Sequence, residues 1–238
     1  MANFYANDDF GLNVARGLVK GVTGLSISGY NGSVPTSFVP LWDIGTAYTY
    51  FSSAQVVRVW SDNAADTNVS ILITGLDANY DIITETVLLN NGTTGVLTTK
   101  QFLRINNLAA LGSVNAVGTI RAGSSDKAIT LACIVDGNGR SQMSLYTVPN
   151  GYTFYLSQVN VYTNSNGSQY VNYRSYTQQP NGLTTKILQF PLTTQYNSVK
   201  VVPRPYSAKT DIQWQCSSTN TSQVGIQIEG YLVQTPIT

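Results

Sequence analysis

Apolar and polar residues alternate with a period of two along most of the chain, whereas stripes with the 3.6-residue period of a helix are nearly absent. In residues 210–216, for example, Ile212, Trp214 and Cys216 alternate with polar side chains, which predicts a strand with one dry and one solvated face. The pattern predicts an all-β fold. The candidate strands are residues 55–60, 68–74, 82–89, 100–105, 117–121, 127–135, 152–163, 169–177, 184–190, 196–202, 210–216 and 223–233.

Short stretches rich in Gly, Asn and Asp separate these strands. Such residues tolerate a positive φ or bond back to their own backbone, which favours turns. Turn signals that recur every 10 to 15 residues or so are typical of β-sandwiches and barrels. The turns concerned are residues 62–63, 77–79, 90–92, 123–126 and 136–139.

The strand pattern changes character near the middle of the chain. Residues 136–140 are the least strand-like stretch there, and ten of the 15 tyrosines lie from Tyr146 onward. The length of 238 residues suits one large β domain or two ordinary ones. We therefore predict two antiparallel, jelly-roll-like β-sandwich domains, residues 23–141 and a Tyr-rich domain of residues 142–238, preceded by an extended N-terminal arm of residues 1–22.

The predicted arm carries Phe4, Tyr5 and Phe10 among Asn, Asp and Gly, before any convincing strand. Residues 16–22 hold too many glycines for a stable helix. Aromatic residues that an arm cannot bury in its own domain favour contact with a neighbouring surface. The other interpretation is an N-terminal strand that packs on its own sheet, and the sequence leaves both open.

Charged residues make up 11% of the chain, against about 25% in a typical soluble domain. The surface must therefore be polar without being ionic. The net charge of +1 gives no overall attraction to nucleic acid or to an anionic membrane. Residues 1–141 carry eight basic and ten acidic groups and residues 142–238 carry five and two, a modest difference that chance explains.

The chain contains no histidine, which excludes Ser-His-Asp and Cys-His hydrolases, His-ligated zinc sites and His-based pH switches. Cys133 and Cys216 lie in buried-strand patterns and are interpreted as small core hydrophobes, although a disulfide between them stays open. Residues 1–9 show neither the basic nor the apolar segment of a secretory signal, and no apolar stretch reaches the length of a spanning helix.

Carboxylates offer few candidates for chemistry. Glu85 and Glu229 fall at solvent-facing positions of strand patterns, and Asp77 and Asp81 are interpreted as turn-forming residues. The Gly-rich turns lack the Lys-Ser/Thr of a phosphate-binding loop. We therefore predict no catalytic residue, no metal site and no cofactor.

Tyrosines on one strand are the other candidate site. Tyr170, Tyr173 and Tyr176 share a segment with a single arginine, so cross-strand packing is favoured over stacking on nucleic-acid bases. Tyr, Asn, Ser and Thr together suit contacts with proteins or carbohydrates, because they hydrogen-bond without the desolvation cost of an ion. A loop with a slight positive bias contains Lys200, Arg204 and Lys209.

Residues 57–104 combine strands with the turns SDNAAD at 61–66 and GLDANY at 75–80, and TETVLLN follows at 84–90. With YTVPNGYT at 146–153, this pattern resembles structural virion proteins of tailed bacteriophages, particularly those of marine and cyanobacterial phages. The resemblance covers most of residues 40–160. It implies a β-rich particle protein without enzymatic activity, arranged symmetrically, and it carries no catalytic residue across.

The first hypothesis is a capsid decoration or cement protein that binds the capsid surface and bridges subunits. Its partners would be the major capsid protein or other virion proteins, and it would form a homo-oligomer such as a trimer. It would bind neither nucleic acid nor membrane. Its location would be the virion, after synthesis in the host cytoplasm. The alternative is a tail or fibre-associated adhesin that recognises host surface glycan through Tyr170, Tyr173 and Tyr176. A carboxylate-based hydrolase is the third option.

Overall fold

The computed structural model describes residues 9–112, 114–164 and 170–235. These residues form a short helix and sixteen strands. In chain order the elements are α1 (Phe10–Ala15), β1 (Val22–Val34), β2 (Val39–Pro40), β3 (Gln55–Ser61), β4 (Val69–Leu76), β5 (Ile82–Leu89), β6 (Val96–Phe102), β7 (Arg104–Leu111), β8 (Ile120–Gly123), β9 (Thr130–Ile134), β10 (Leu145–Thr147), β11 (Tyr152–Thr163), β12 (Val171–Gln178), β13 (Thr184–Leu192), β14 (Gln195–Tyr206), β15 (Asp211–Ser218) and β16 (Ser222–Gln234).

The all-β prediction is confirmed, with four antiparallel sheets in sandwich-like arrangements. One sandwich, here called the C-terminal sandwich, stacks the sheet β1-β16-β11-β14 on the sheet β10-β15-β12-β13, in which β2 also pairs with β15. The other, the N-terminal sandwich, combines β6-β3-β8-β9 with β5-β4-β7. Each has its own apolar core, the first around Trp214 and Phe154 and the second around Phe102 and Leu108.

The strand β1 lies in the C-terminal sandwich, although the sequence prediction grouped residues 23–141 together. It pairs antiparallel with the last strand, from Val22 opposite Val233 to Val34 opposite Ser222. Val39–Pro40 likewise pairs with β15. Alternation marks a strand but does not name its partner, so a pairing across almost the whole chain leaves no local signal.

The described part of the predicted arm, residues 9–21, contains α1 and packs on its own sheet. Asp9 caps the helix by accepting a hydrogen bond from the amide of Leu12 at 3.3 Å. The Phe10 ring meets the Tyr231 ring edge-on at 5.2 Å, and Val14 is buried. This part of the chain is therefore a helix laid on β1 and β16 rather than an extended arm.

Glu85 joins the two sheets of the N-terminal sandwich. β5 and β6 end different sheets, and the Glu85 carboxylate bridges them by accepting the backbone N–H groups of Thr99 and Lys100, both at 2.8 Å. A carboxylate that accepts hydrogen bonds from two backbone amides takes the place of the backbone hydrogen bonds that a neighbouring strand would make. The sequence analysis interpreted Glu85 as a surface group and did not predict this contact.

We expect Glu85→Ala to lower the free energy of unfolding by about 1–2 kcal/mol, because two backbone donors lose a charged acceptor. The adjacent Thr86→Ala is the matched control, since the Thr86 side chain is exposed, and it should stay within about 0.5 kcal/mol of wild type. Urea denaturation measures both. Equal effects for the two variants would contradict the bridging role.

The two sandwiches meet at a buried ion pair. The Arg104 guanidinium donates Nε and Nη2 hydrogen bonds to the two carboxylate oxygens of Asp211, each at 2.9 Å. Its Nη1 donates to the carbonyl of Phe51 at 2.9 Å, and the Tyr50 ring lies 4.5 Å from the guanidinium carbon. Because Arg104 starts β7 and Asp211 starts β15, this pair ties one sandwich to the other.

Candidate docking surface

Two long strands end the sheets of the C-terminal sandwich on one side. Within the described residues, β13 has only β12 as a strand neighbour and β14 has only β11. The rings of Phe190 on β13 and Tyr196 on β14 are 4.4 Å apart, so the two edges face each other across the core. The opposite ends of these sheets are β10, which contacts β7 of the N-terminal sandwich, and β1. The strands β13 and β14 are therefore at the sheet edges opposite the one that contacts β7.

A wide bulge interrupts β14. Val199 pairs with Gln158 of β11 and Arg204 pairs with Leu156, so residues 200–203 lie opposite the single residue Ser157. Three extra residues must therefore project from the ladder. We call this segment the 200–203 bulge. The sequence of the bulge, Lys-Val-Val-Pro, departs from strict alternation of apolar and polar residues, and this departure is the only indication of the bulge in the sequence.

The bulge exposes two consecutive valines. Val201 is 98% exposed and Val202 is 81% exposed. The apolar side chains of Val199 and Leu188 are also exposed on the same two strands. Single exposed apolar residues are ordinary, but several of them on the open edges of two sheets make these strands a candidate contact surface.

Basic side chains accompany these valines. Lys186 on β13 and Arg204 on β14 are exposed, and the ammonium of Lys200 donates to the Ser198 hydroxyl at 2.6 Å. We define the basic apolar edge as Lys186, Leu188, Val199, Lys200, Val201, Val202 and Arg204. It can bind a partner through apolar burial, through cations and through the unpaired edge of the sheet.

Proline and lysine restrict how that edge can pair. Pro203 and Pro205 have no backbone N–H to offer a further strand, and Lys200 charges the same stretch. Edges with these features resist indiscriminate strand addition. The side chains on the bulge are therefore better placed for a specific contact than the backbone of β14.

No protein-family model matches the chain, and no curated protein matches it. Among solved structures, the chain is similar to the structure of infectious bursal disease virus Gt strain, with 9% identity over 89% of this chain and 71% of that chain and a TM-score of 0.22. It is similar to the structure of the Gx strain of the same virus, with 12% identity over 91% and 77% and a TM-score of 0.21. TM-scores this low do not support a common fold or a common function.

Tyr173 lies in the core rather than on the predicted exposed surface. It is 1% exposed, its ring lies 5.2 Å from that of Phe190 and 6.0 Å from that of Tyr196, and burial raises the pKa of its hydroxyl well above the usual value. Because side chains alternate along β12, Tyr173 faces inward while Tyr176 faces outward. The expectation that Tyr170, Tyr173 and Tyr176 are exposed together is wrong.

The other two tyrosines do not form a stacking platform by themselves. Tyr170 is 55% exposed and precedes β12, whereas Tyr176 is half-buried near the far end of the strand. The Arg174 guanidinium carbon lies 5.7 Å from the Tyr176 ring and 4.0 Å from the Phe38 ring. Tyr176 therefore packs with its neighbours as part of the sheet surface.

Of the residues predicted for arm contacts, Phe4 and Tyr5 lie outside the described residues. Phe10 is half-exposed, with one edge against Tyr231. Its remaining surface is free to contact a partner, and its role stays a prediction.

The two cysteines and the Asp43 carboxyl are groups whose burial bears on reactivity. Cys133 and Cys216 are both free and buried, and burial raises the pKa of the Cys133 thiol to about 12. Burial also raises the pKa of the nearby Asp43 to about 6, against a lowering backbone hydrogen bond from Gln142. The thiol stays protonated at neutral pH, so it is a poor nucleophile.

Other carboxylates have structural partners. Asp77 accepts the amides of Asn79 and Asp81 within its own turn, as predicted for a turn-forming residue. The buried Asp66 accepts the amides of Val117 at 2.6 Å and Gly118 at 3.0 Å, a contact that sequence reasoning missed. No group of three or more His, Cys, Asp or Glu that could hold a metal ion occurs in residues 9–112, 114–164 and 170–235.

The short helix and Lys209 do not contribute to the candidate surface. No helix of the described chain is long and apolar enough to cross a membrane. Lys209, grouped with Lys200 and Arg204 in the sequence, instead lies with its ammonium 5.7 Å from the Tyr80 ring, near the junction between the sandwiches. It does not belong to the basic apolar edge.

Proposed function

We propose that this protein is a non-enzymatic structural component of a bacteriophage virion, a decoration protein that binds the capsid surface and bridges its subunits. The observation that carries the proposal is the basic apolar edge, where the 200–203 bulge holds Val201 and Val202 almost fully in solvent. Exposed apolar side chains of this kind stabilise an assembly when a neighbouring protein covers them.

The rest of the molecule suits such a role. The buried ion pair between Arg104 and Asp211 ties the two sandwiches together. A chain with only 11% charged residues lets neighbours approach with little repulsion between like charges. The resemblance of residues 40–160 to phage structural proteins agrees with this role.

Copy number and position in the particle test the proposal. Quantitative mass spectrometry of purified virions should give hundreds of copies per particle, and particles from a deletion strain should lose density on the capsid exterior in electron cryomicroscopy. Particles of the deletion strain should also break at lower temperature, because bridging contacts are missing. A dozen copies or fewer, or density confined to the tail, would contradict decoration and favour the adhesin.

A further inference from the structure

We infer that the basic apolar edge docks onto a carboxylate-rich protein surface of the virion shell, with Val201 and Val202 buried at the centre and Lys200 and Arg204 pairing at the rim. The inference rests on the proposed function and adds the chemistry of the partner. It assigns the two valines and the two cations separate tasks, which an experiment can distinguish.

The absence of acidic residues along this part of the chain supports an anionic partner. No Asp or Glu occurs between Asp136 and Asp211, although the stretch contains six basic residues. Asp211 itself is buried against Arg104, so it does not neutralise the edge. The cations on β13 and β14 therefore have no acidic residue on either strand.

The arrangement favours a protein over nucleic acid. Only three cations lie on the two strands, and the bulge between Lys200 and Arg204 presents two exposed valines rather than further Lys or Arg. Single-stranded nucleic acid is bound by aromatic rings that stack on bases, and duplexes by many phosphate contacts. The rings near the edge, those of Tyr173, Phe190 and Tyr196, pack against one another. A protein surface can cover the valines and pair with the cations at the same time.

The test adds purified full-length protein to virions of the deletion strain and measures association and dissociation rates at several salt concentrations. Lys200→Glu with Arg204→Glu should slow association and reverse the salt dependence, because steering by charge acts on the encounter. Val201→Ser with Val202→Ser should speed dissociation about tenfold or more and leave the salt dependence unchanged, because burial of apolar surface is lost.

Two matched variants control for general effects. Lys20→Glu reverses an exposed cation outside the edge, and Val117→Ser removes an exposed apolar side chain of the N-terminal sandwich. Both should bind as wild type does. All the variants alter exposed or half-exposed side chains, and circular dichroism should show them to be folded.

The outcomes separate the inference from the function on which it rests. Failure of the wild-type protein to bind would overturn the proposed function. Wild-type binding with normal binding by both edge variants would leave that function standing and overturn the edge as its docking surface. Loss through the valine variant alone would overturn the acidic character of the partner. If the purified protein self-associates and both edge variants abolish this, the edge binds a second copy of the chain. If DNA competes with the virion for binding, the edge binds nucleic acid. Either result contradicts the inference.

Discussion

Asp211→Ala is expected to lower the free energy of unfolding by about 3–5 kcal/mol, because it leaves the Arg104 guanidinium buried without its counter-charge. Both side chains are less than one tenth exposed, and Asp211 also accepts a hydrogen bond from the Thr147 hydroxyl. The loss should appear in urea denaturation as a lower midpoint. If the two sandwiches are separate cooperative units, loss of the ion pair that links them should also divide the single unfolding transition into two.

The chain offers its own control. Arg121 and Asp62 form an exposed ion pair at 3.3 Å, so Arg121→Gln should cost less than about 1 kcal/mol. Replacing both buried partners, as Arg104→Met with Asp211→Leu, should recover part of the loss, since no unpaired charge remains. A similar small cost for Asp211→Ala and Arg121→Gln would show that the junction does not depend on the ion pair.

Tyr173→Ala is expected to cost about 3–5 kcal/mol, because it removes a ring from a core shared with Phe190 and Tyr196. Tyr170→Ala, three residues away and exposed, should remain within about 0.5 kcal/mol of wild type. Thermal and urea unfolding measure both. Wild-type stability for Tyr173→Ala, together with loss of glycan binding, would restore the adhesin hypothesis and contradict the core position.

Alternation was sufficient to predict the fold class because it depends only on neighbouring residues along a strand. It also placed Cys133 and Cys216 in buried strands, and in the structure both cysteines are buried free thiols. It could not pair β1 with β16, since the partners lie at opposite ends of the chain. The misplacement of Tyr173 had a different cause. Its neighbours Tyr170 and Tyr176 are three residues away in each direction, and in a strand an odd spacing puts side chains on opposite faces.

The contacts of Glu85, Asp66 and Arg104 could not be found from sequence, because each acceptor or donor meets atoms distant along the chain. Glu85 reaches Thr99, Asp66 reaches Val117, and Arg104 reaches Asp211. The 200–203 bulge was partly visible in the sequence as adjacent valines before a proline. Its projection depends on the register that β14 adopts against β11, which local pattern does not specify.

The central claim is that neighbouring proteins cover the basic apolar edge in the particle, and amine footprinting of intact virions tests it most directly. Acetylation of Lys200 and Lys186 should fall several-fold in the virion relative to the purified protein, whereas Lys20 should react equally in both. Equal labelling of Lys200 and Lys186 in the two states would show that the edge stays in solvent and would contradict the account.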